Sequence, residues 1–188
     1  MEIVFVTGNK NKFSEAEKIL RDFGIVIKRK KIYVEEIQEL DVSLVAKRKA
    51  EEAYRELGMP LIVEDTGIEV KGMNGYPGAL VKHFYEAMTP HGMVEFLRKR
   101  DSRTTGITAV AYFDGKTMKV FEGRIEGRIA GDVRGGDSFD WDSFFIPEGY
   151  GKTYSQLGID EKNKISQRRK ALEKFAEWFL SHSSPGEK

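Results

Sequence analysis

Residues 1–28, "MEIVFVTGNKNKFSEAEKILRDFGIVIK", decide the fold. The run Ile3, Val4, Phe5 and Val6 is apolar and β-rich, and it stops abruptly at Thr7, Gly8 and Asn9. That is the pattern of a buried strand closed by a polar turn. From Lys10 to Arg21 the apolar residues Phe13, Ala16, Ile19 and Leu20 recur at helical spacing, and Gly24 follows as a stop. "IVIKRKKIYV" (25–34) then supplies a second β-branched run, expected to end near Val34. Strand, helix and strand in so short a span imply an α/β architecture.

Working outward, "DVSLVAKRKAEEAYRELG" (41–58) is the clearest helix. Asp41 or Ser43 suits its cap, Leu44, Val45, Ala50, Ala53, Tyr54 and Leu57 form its apolar face, and Gly58 ends it. "PLIVEDTGIEV" (60–70) reads as a strand that breaks in its polar residues and resumes. Two helices follow, one after the "NGYPG" turn and one capped by Thr89 with Pro90 in the first helical position. Asp114-Gly115 between two β-rich runs is a hairpin signal. Residues 135–158 are Gly- and aromatic-rich and irregular, and residues 163–182 form a terminal helix whose tail is expected to fray from Ser181. No linker or internal repeat divides the 188 residues, so a single α/β domain is expected, a mixed β-sheet flanked by helices.

A net charge of +1 gives no whole-molecule field for nucleic acid or a membrane surface, so any anion site must be local. With no cysteine, disulfides, thiolate catalysis and cysteine metal sites are excluded. No apolar stretch approaches the roughly 20 residues that span a bilayer, and the expectation is a cytoplasmic protein.

Several segments carry chemistry. Thr7-Gly8-Asn9 before a helix presents backbone N–H groups and the positive end of the helix dipole, with Lys10, Asn11 and Lys12 adding charge and donors suited to a polyphosphate. The loop fits neither the Walker nor the Rossmann glycine pattern. Here a single glycine is expected to let the strand turn, with side-chain donors replacing an all-backbone cradle. Glu64-Asp65-Thr66-Gly67 puts two carboxylates at a strand end, facing opposite ways if extended. With one carboxylate of the patch Glu35, Glu36, Glu39 and Asp41, Asp65 makes a sparse Mg²⁺ site completed by substrate phosphates. In "SFDWDSFF" (138–145) Phe139 and Trp141 share one side and Asp140 and Asp142 the other; the aspartates argue against a purely buried strand and for aromatics that stack on a base. Lys162, Gln167 and Arg168, at or near the start of the last helix, offer a point charge and planar donors for base edges.

In this order, "TGNKNK" (7–12), "EDTG" (64–67), "GYPG" (75–78), "FDWD" (139–142) and "SQRRKAL" (166–172) resemble the inosine triphosphate pyrophosphatase family, over nearly the whole chain. The resemblance implies an elongated mixed sheet with a central substrate cleft between two lobes, a homodimer, and Mg²⁺-dependent hydrolysis of ITP, dITP or XTP to monophosphate and pyrophosphate. It implies that residues 7–12 hold the triphosphate and that Glu36 and Asp65 bind Mg²⁺, with Asp65 also accepting the proton of the attacking water. Lys49 and Thr66 would contact substrate, Phe139, Asp140, Trp141 and Asp142 would embrace the base, and Lys162, Gln167 and Arg168 would complete its pocket. The family usually has histidine where this chain has Gln167, which donates a hydrogen bond but cannot become cationic.

Overall fold

The computed structural model describes residues 1–136 and 141–182. The first 30 residues form the expected unit: β1 (Glu2–Val6), α1 (Lys10–Arg21) and β2 (Val26–Lys30), with β1 and β2 parallel. Asn9 caps α1, its side chain accepting from the Asn11 and Lys12 amides. Then come α2 (Val42–Leu57), β3 (Leu61–Val70), β4 (Pro77–Gly78), α3 (Val81–Leu97), β5 (Arg103–Phe113), β6 (Met118–Ile129), β7 (Phe145–Pro147), α4 (Tyr154–Leu157), α5 (Ile159–Ile165) and α6 (Gln167–His182).

Among the described residues the strands form one seven-stranded mixed sheet in the order β2-β1-β3-β5-β6-β7, with β4 on β3. β3 is parallel to β1 and antiparallel to β5. Alternation along β3 sorts its side chains to two faces. Ile62 packs with α1 and α6 residues such as Ile19, Leu20, Leu172 and Phe175. Leu61 and Val63 pack with Val42, Ala46, Ala50 and Ala53 of α2. A third apolar group, including Ile68, Met93, Phe144, Phe145 and Tyr154, fills the far end. Each fully buried large side chain contributes about 1.5–3 kcal/mol relative to exposure.

Three expectations need correction. β3 does not break at its polar residues; it pairs with β5 at every position from Leu61↔Phe113 to Val70↔Thr104. β2 ends at Lys30, and residues 31–40 run to α2 without a strand. Residues 141–147 are all buried, despite Asp142. The two helices expected around Thr89 are present as two helical stretches within Val81–Leu97, meeting at Thr89 (φ 60°, ψ 163°). The Thr89 hydroxyl accepts from the Gly92 amide at 3.4 Å.

Candidate active site

β1 is shorter than β3, so β3 runs on past the point where β1 turns into the loop before α1. The loop faces this exposed length of β3 across an open cavity of about 420 Å³. Thr7, Gly8, Asn9 and Lys12 line one wall, Glu64, Asp65 and Thr66 the floor, and Glu36 and Lys49 the opposite wall. Trp141 closes one part of it. Thr7 Oγ1 accepts from the Asn9 amide at 3.1 Å, so the loop's polar side chains fix its own backbone. The chain bends at Gly8 as expected but without a positive φ, and a Cβ there would meet only Lys31 Cε, at 4.0 Å.

The two adjacent acids of β3, Glu64 and Asp65, point to opposite helix layers. Asp65 faces α2: Lys49 Nζ lies 3.2 Å from its Oδ1 and 2.7 Å from Glu36 Oε1, so one ammonium ties both carboxylates together. Burial works against the Lys49 charge, but Asp65 and Glu36 outweigh it and raise its pKa. The acids respond differently because their exposure differs, 10% for the Asp65 side chain and 53% for Glu36. For Glu36 the pull of Lys49 overcomes burial and lowers the pKa. For Asp65 burial prevails over Lys49 and Lys12, and the pKa is raised. Asp65 Oδ2 is buried with no hydrogen-bond partner, on the floor of a polar cavity. An orphaned carboxylate oxygen in such a place suits a cation or a proton from water. No group of three or more His, Asp or Glu among the described residues forms a closed metal cage, so a cation here would take its other ligands from substrate and water.

Glu64 faces α6. Arg168 Nε and Nη2 grip it as a fork, at 2.8 and 2.9 Å, and Thr66 Oγ1 donates to it at 3.0 Å. Lys12 Nζ stands 3.5 Å away. Burial raises the Glu64 pKa, but Arg168 and Lys12 more than reverse this and hold it at about 2. Arg168 also binds Glu15, which accepts from Lys162 Nζ at 3.1 Å; Lys162 in turn lies 2.5 Å from Asp142 Oδ2. Asp142 is therefore buried as an ion-pair partner, which the count of aspartates in the segment could not reveal. Its burial still pushes its pKa up to about 6 against the attraction of Lys162.

Of the residues singled out in the sequence, Thr7, Gly8, Asn9, Lys12, Glu36, Lys49, Asp65, Thr66 and Trp141 converge on the cavity. Lys10 and Asn11 are exposed on the first turn of α1 and do not line it. Asp142, Lys162, Gln167 and Arg168 are buried and not part of its lining. Gln167 Oε1 accepts from the Tyr154 hydroxyl at 3.1 Å. Trp141 is only 2% exposed, packed edge-on against Phe145 at 5.0 Å, and is not the open stacking platform expected. Phe139 and Asp140 lie outside the described residues. Sequence reasoning missed Lys82 and His83, which line the cavity from the start of α3, and Glu15. The signal for Glu15 was present: an acid beside Ala16, Ile19 and Leu20, on the apolar face of α1.

Fold and cavity together define a class: mixed-sheet α/β proteins whose charged site opens where a strand-to-helix loop faces paired carboxylates on the neighbouring strand. The chain belongs to the Ham1 family, whose model matches residues 3–178. It is 38% identical to the dITP/XTP pyrophosphatase of Methanopyrus kandleri, across 97% of this chain and 98% of that one. It is 37% identical to the inosine triphosphate pyrophosphatase of Candida glabrata, across 96% and 98%. The structure of a HAM1 protein from Coxiella burnetii superposes with a TM-score of 0.83 at 25% identity, covering 96% and 99% of the two chains.

Proposed function

We propose that this enzyme, a nucleoside triphosphate pyrophosphohydrolase, hydrolyses noncanonical purine nucleotides (ITP, dITP and XTP) to the monophosphate and pyrophosphate with Mg²⁺, cleansing the nucleotide pool. The names of its relatives support the substrate class. The observation that carries the chemistry is the buried, unpartnered Asp65 Oδ2 on the floor of a cavity walled by lysines.

In this reading Thr7, Gly8, Asn9 and Lys12 bind the phosphate chain, with Lys10 and Asn11 at the loop's outer rim. Lys49 stabilises charge that develops on the phosphate oxygens as the bond to the leaving group breaks. Asp65 orients water towards the α-phosphorus and takes its proton at Oδ2, which burial has made more basic than an exposed aspartate. The new bond is water oxygen to α-phosphorus, the broken one is the α–β anhydride, and pyrophosphate leaves with the bonding pair. Glu36 and Asp65 fit a hard divalent cation, and Mg²⁺ bound there supplies charge neutralisation on the phosphate oxygens. Thr66 touches the substrate beside them. The purine lies towards Trp141, with Phe139, Asp140 and Asp142 from the same segment and Lys162, Gln167 and Arg168 from beneath assigned to its recognition. Donors from Arg168, Gln167 or the backbone there would match the 6-oxo group of hypoxanthine or xanthine and be left unpaired against the 6-amine of adenine, a discrimination of roughly 10⁴-fold or more. The working form is proposed to be a cytoplasmic homodimer.

The test is pyrophosphate release from ITP, dITP, XTP, GTP, ATP and dUTP, with and without Mg²⁺. The expected outcome is direct formation of IMP and pyrophosphate from ITP, metal-dependent, with the canonical nucleotides poor. Formation of IDP and orthophosphate would overturn the assignment.

A further inference from the structure

A second cavity, of about 290 Å³, adjoins the first. Glu36, Asp65 and His83 line both and belong to the wall between them. The two cavities differ in charge. Lys12, Lys49 and Lys82 line the first, whereas no lysine or arginine among the described residues lines the second. The second instead gathers three carboxylates, Glu36, Glu39 and Asp65. Glu39 is held in place, its Oε1 accepting from the Leu40 amide at 2.6 Å. Lys49 takes Glu36 Oε1 and Asp65 Oδ1. That leaves Asp65 Oδ2 in the dividing wall, on a residue 7% exposed, buried and without a hydrogen-bond partner.

A pocket lined this way repels a phosphate chain and draws in a divalent cation. No three His, Asp or Glu side chains among the described residues could hold a bare ion. Mg²⁺ gives up its waters reluctantly, so it would enter hydrated. Six waters at about 30 Å³ each need roughly 200 Å³, which a cavity of this size supplies.

The geometry points to the second cavity as a station for a hydrated divalent cation, held through its water shell by Glu36, Glu39 and Asp65. Cation and phosphate chain then approach Asp65 from opposite sides of one wall, the cation from the acidic cavity and the phosphates from the basic one. A contact made through water binds weakly, so the ion adds little to stability until phosphate oxygens join it. Transfer of the ion to Glu36 and Asp65 rests on the function proposed above; the station itself rests on the cavity and its charges.

The probe is Mn²⁺ titrated into the nucleotide-free protein, read as paramagnetic broadening of backbone amide resonances. Those of Ile37, Gln38, Glu39 and Leu80, around the second cavity, are expected to broaden at lower Mn²⁺ than those of Gly8, Asn9 and Lys12 in the first. Cobalt(III) hexammine, whose ligands do not exchange, stands in for a fully hydrated ion and is expected to relieve the broadening. Gln38 is exposed and lines the second cavity but not the first. Gln38→Lys is expected to raise the Mn²⁺ needed for half-broadening roughly fivefold, the effect of a unit charge on a divalent ion across a water-filled space. Broadening that begins at Gly8, Asn9 and Lys12 overturns the station, as does an unchanged Mn²⁺ requirement in Gln38→Lys. Failure of cobalt hexammine to compete overturns the contact through water. None of these readings uses hydrolysis. If the wild type fails to hydrolyse ITP, the proposed function falls, and the order of broadening still decides whether the acidic cavity holds the ion.

Discussion

Asp65 combines two properties that pull against each other. Its carboxylate is nearly buried, and burial outweighs Lys49 and Lys12 in setting its pKa. The folded chain therefore binds this proton more tightly than the unfolded chain. Stability from this group is fully present below the ordinary aspartate value near 3.8 and is lost as pH rises through the raised folded value. At neutral pH the ionised Asp65 strains the fold that holds it. Asp65→Asn removes that penalty and keeps an acceptor for Lys49. The expected result is a well-folded variant with Tm unchanged or higher at pH 7, a flatter dependence of Tm on pH above about 4, and no pyrophosphate release from ITP. Turnover near the wild-type rate would remove Asp65 from the chemistry, and a large fall in Tm would show that its ion pair with Lys49 outweighs its burial. Glu64, one residue earlier, is the opposite case. Arg168 and Lys12 hold its pKa at about 2 in spite of full burial, so it stays a fixed anion and serves the scaffold.

At the scale of elements, the loop that carries Glu36 is anchored by a close backbone approach. Gly78 of β4 has φ +58°, and a Cβ there would lie 2.3 Å from the Leu40 carbonyl oxygen. The next amide, Ala79 N, donates to that same carbonyl at 3.0 Å. Gly78→Ala should destabilise by roughly 2–3 kcal/mol through the left-handed backbone and the clash, and should reduce activity by moving the Glu36 loop. Gly8→Ala makes the contrast: its Cβ has open space, so stability should change by less than about 0.5 kcal/mol, while KM for ITP rises because the methyl group narrows the phosphate wall. Equal losses of stability in the two variants, measured by denaturant unfolding, would contradict this account. The same scale explains what the sequence could tell. β1, α1, α2 with its Asp41 and Gly58 caps, the break at Thr89 and the Asp114-Gly115 hairpin are written in local patterns, and they appear where expected. The continuity of β3 is not local: its polar centre is held by β5, by Arg168 from 104 residues away, and by Thr66 bonded to Thr108 at 2.8 Å. In the same way, Trp141 and Asp142 read as exposed because their partners, Tyr154 and Lys162, come from later in the chain. The cavity residues of loop 7–12 and of β3 were legible as motifs; Lys82 and His83 were not, since one charged residue in a helix carries no local mark of what it will face, and Glu15 was marked only by its place on the apolar face of α1.

For the molecule as a whole, the site joins both helix layers through two adjacent residues of one strand. Glu64 ties the sheet to α1 and α6, and Asp65 ties it to α2 and the Glu36 loop. Ligand binding at this point should therefore stabilise the entire fold and not one face of it. Mg²⁺ alone has little to gain there, because Lys49 already pairs with both Glu36 and Asp65 and no third His, Asp or Glu among the described residues completes a cage. In the proposed complex, phosphate oxygens would supply the missing ligands and engage Lys49 and Lys12 as well. Millimolar Mg²⁺ alone is expected to move Tm by less than about 1 °C. Mg²⁺ with an ITP analogue that cannot be cleaved between the α- and β-phosphates should raise it far more, since ligand at 100 times its Kd adds about 2.7 kcal/mol. For a chain of this size that corresponds to about 5–10 °C. Chelation should remove most of the shift, and in Asp65→Asn the metal-dependent part should vanish while the analogue's own contribution remains. A large shift with Mg²⁺ alone would instead mean a metal site complete before substrate arrives, and would move Lys49 from phosphate contact to competition with the ion.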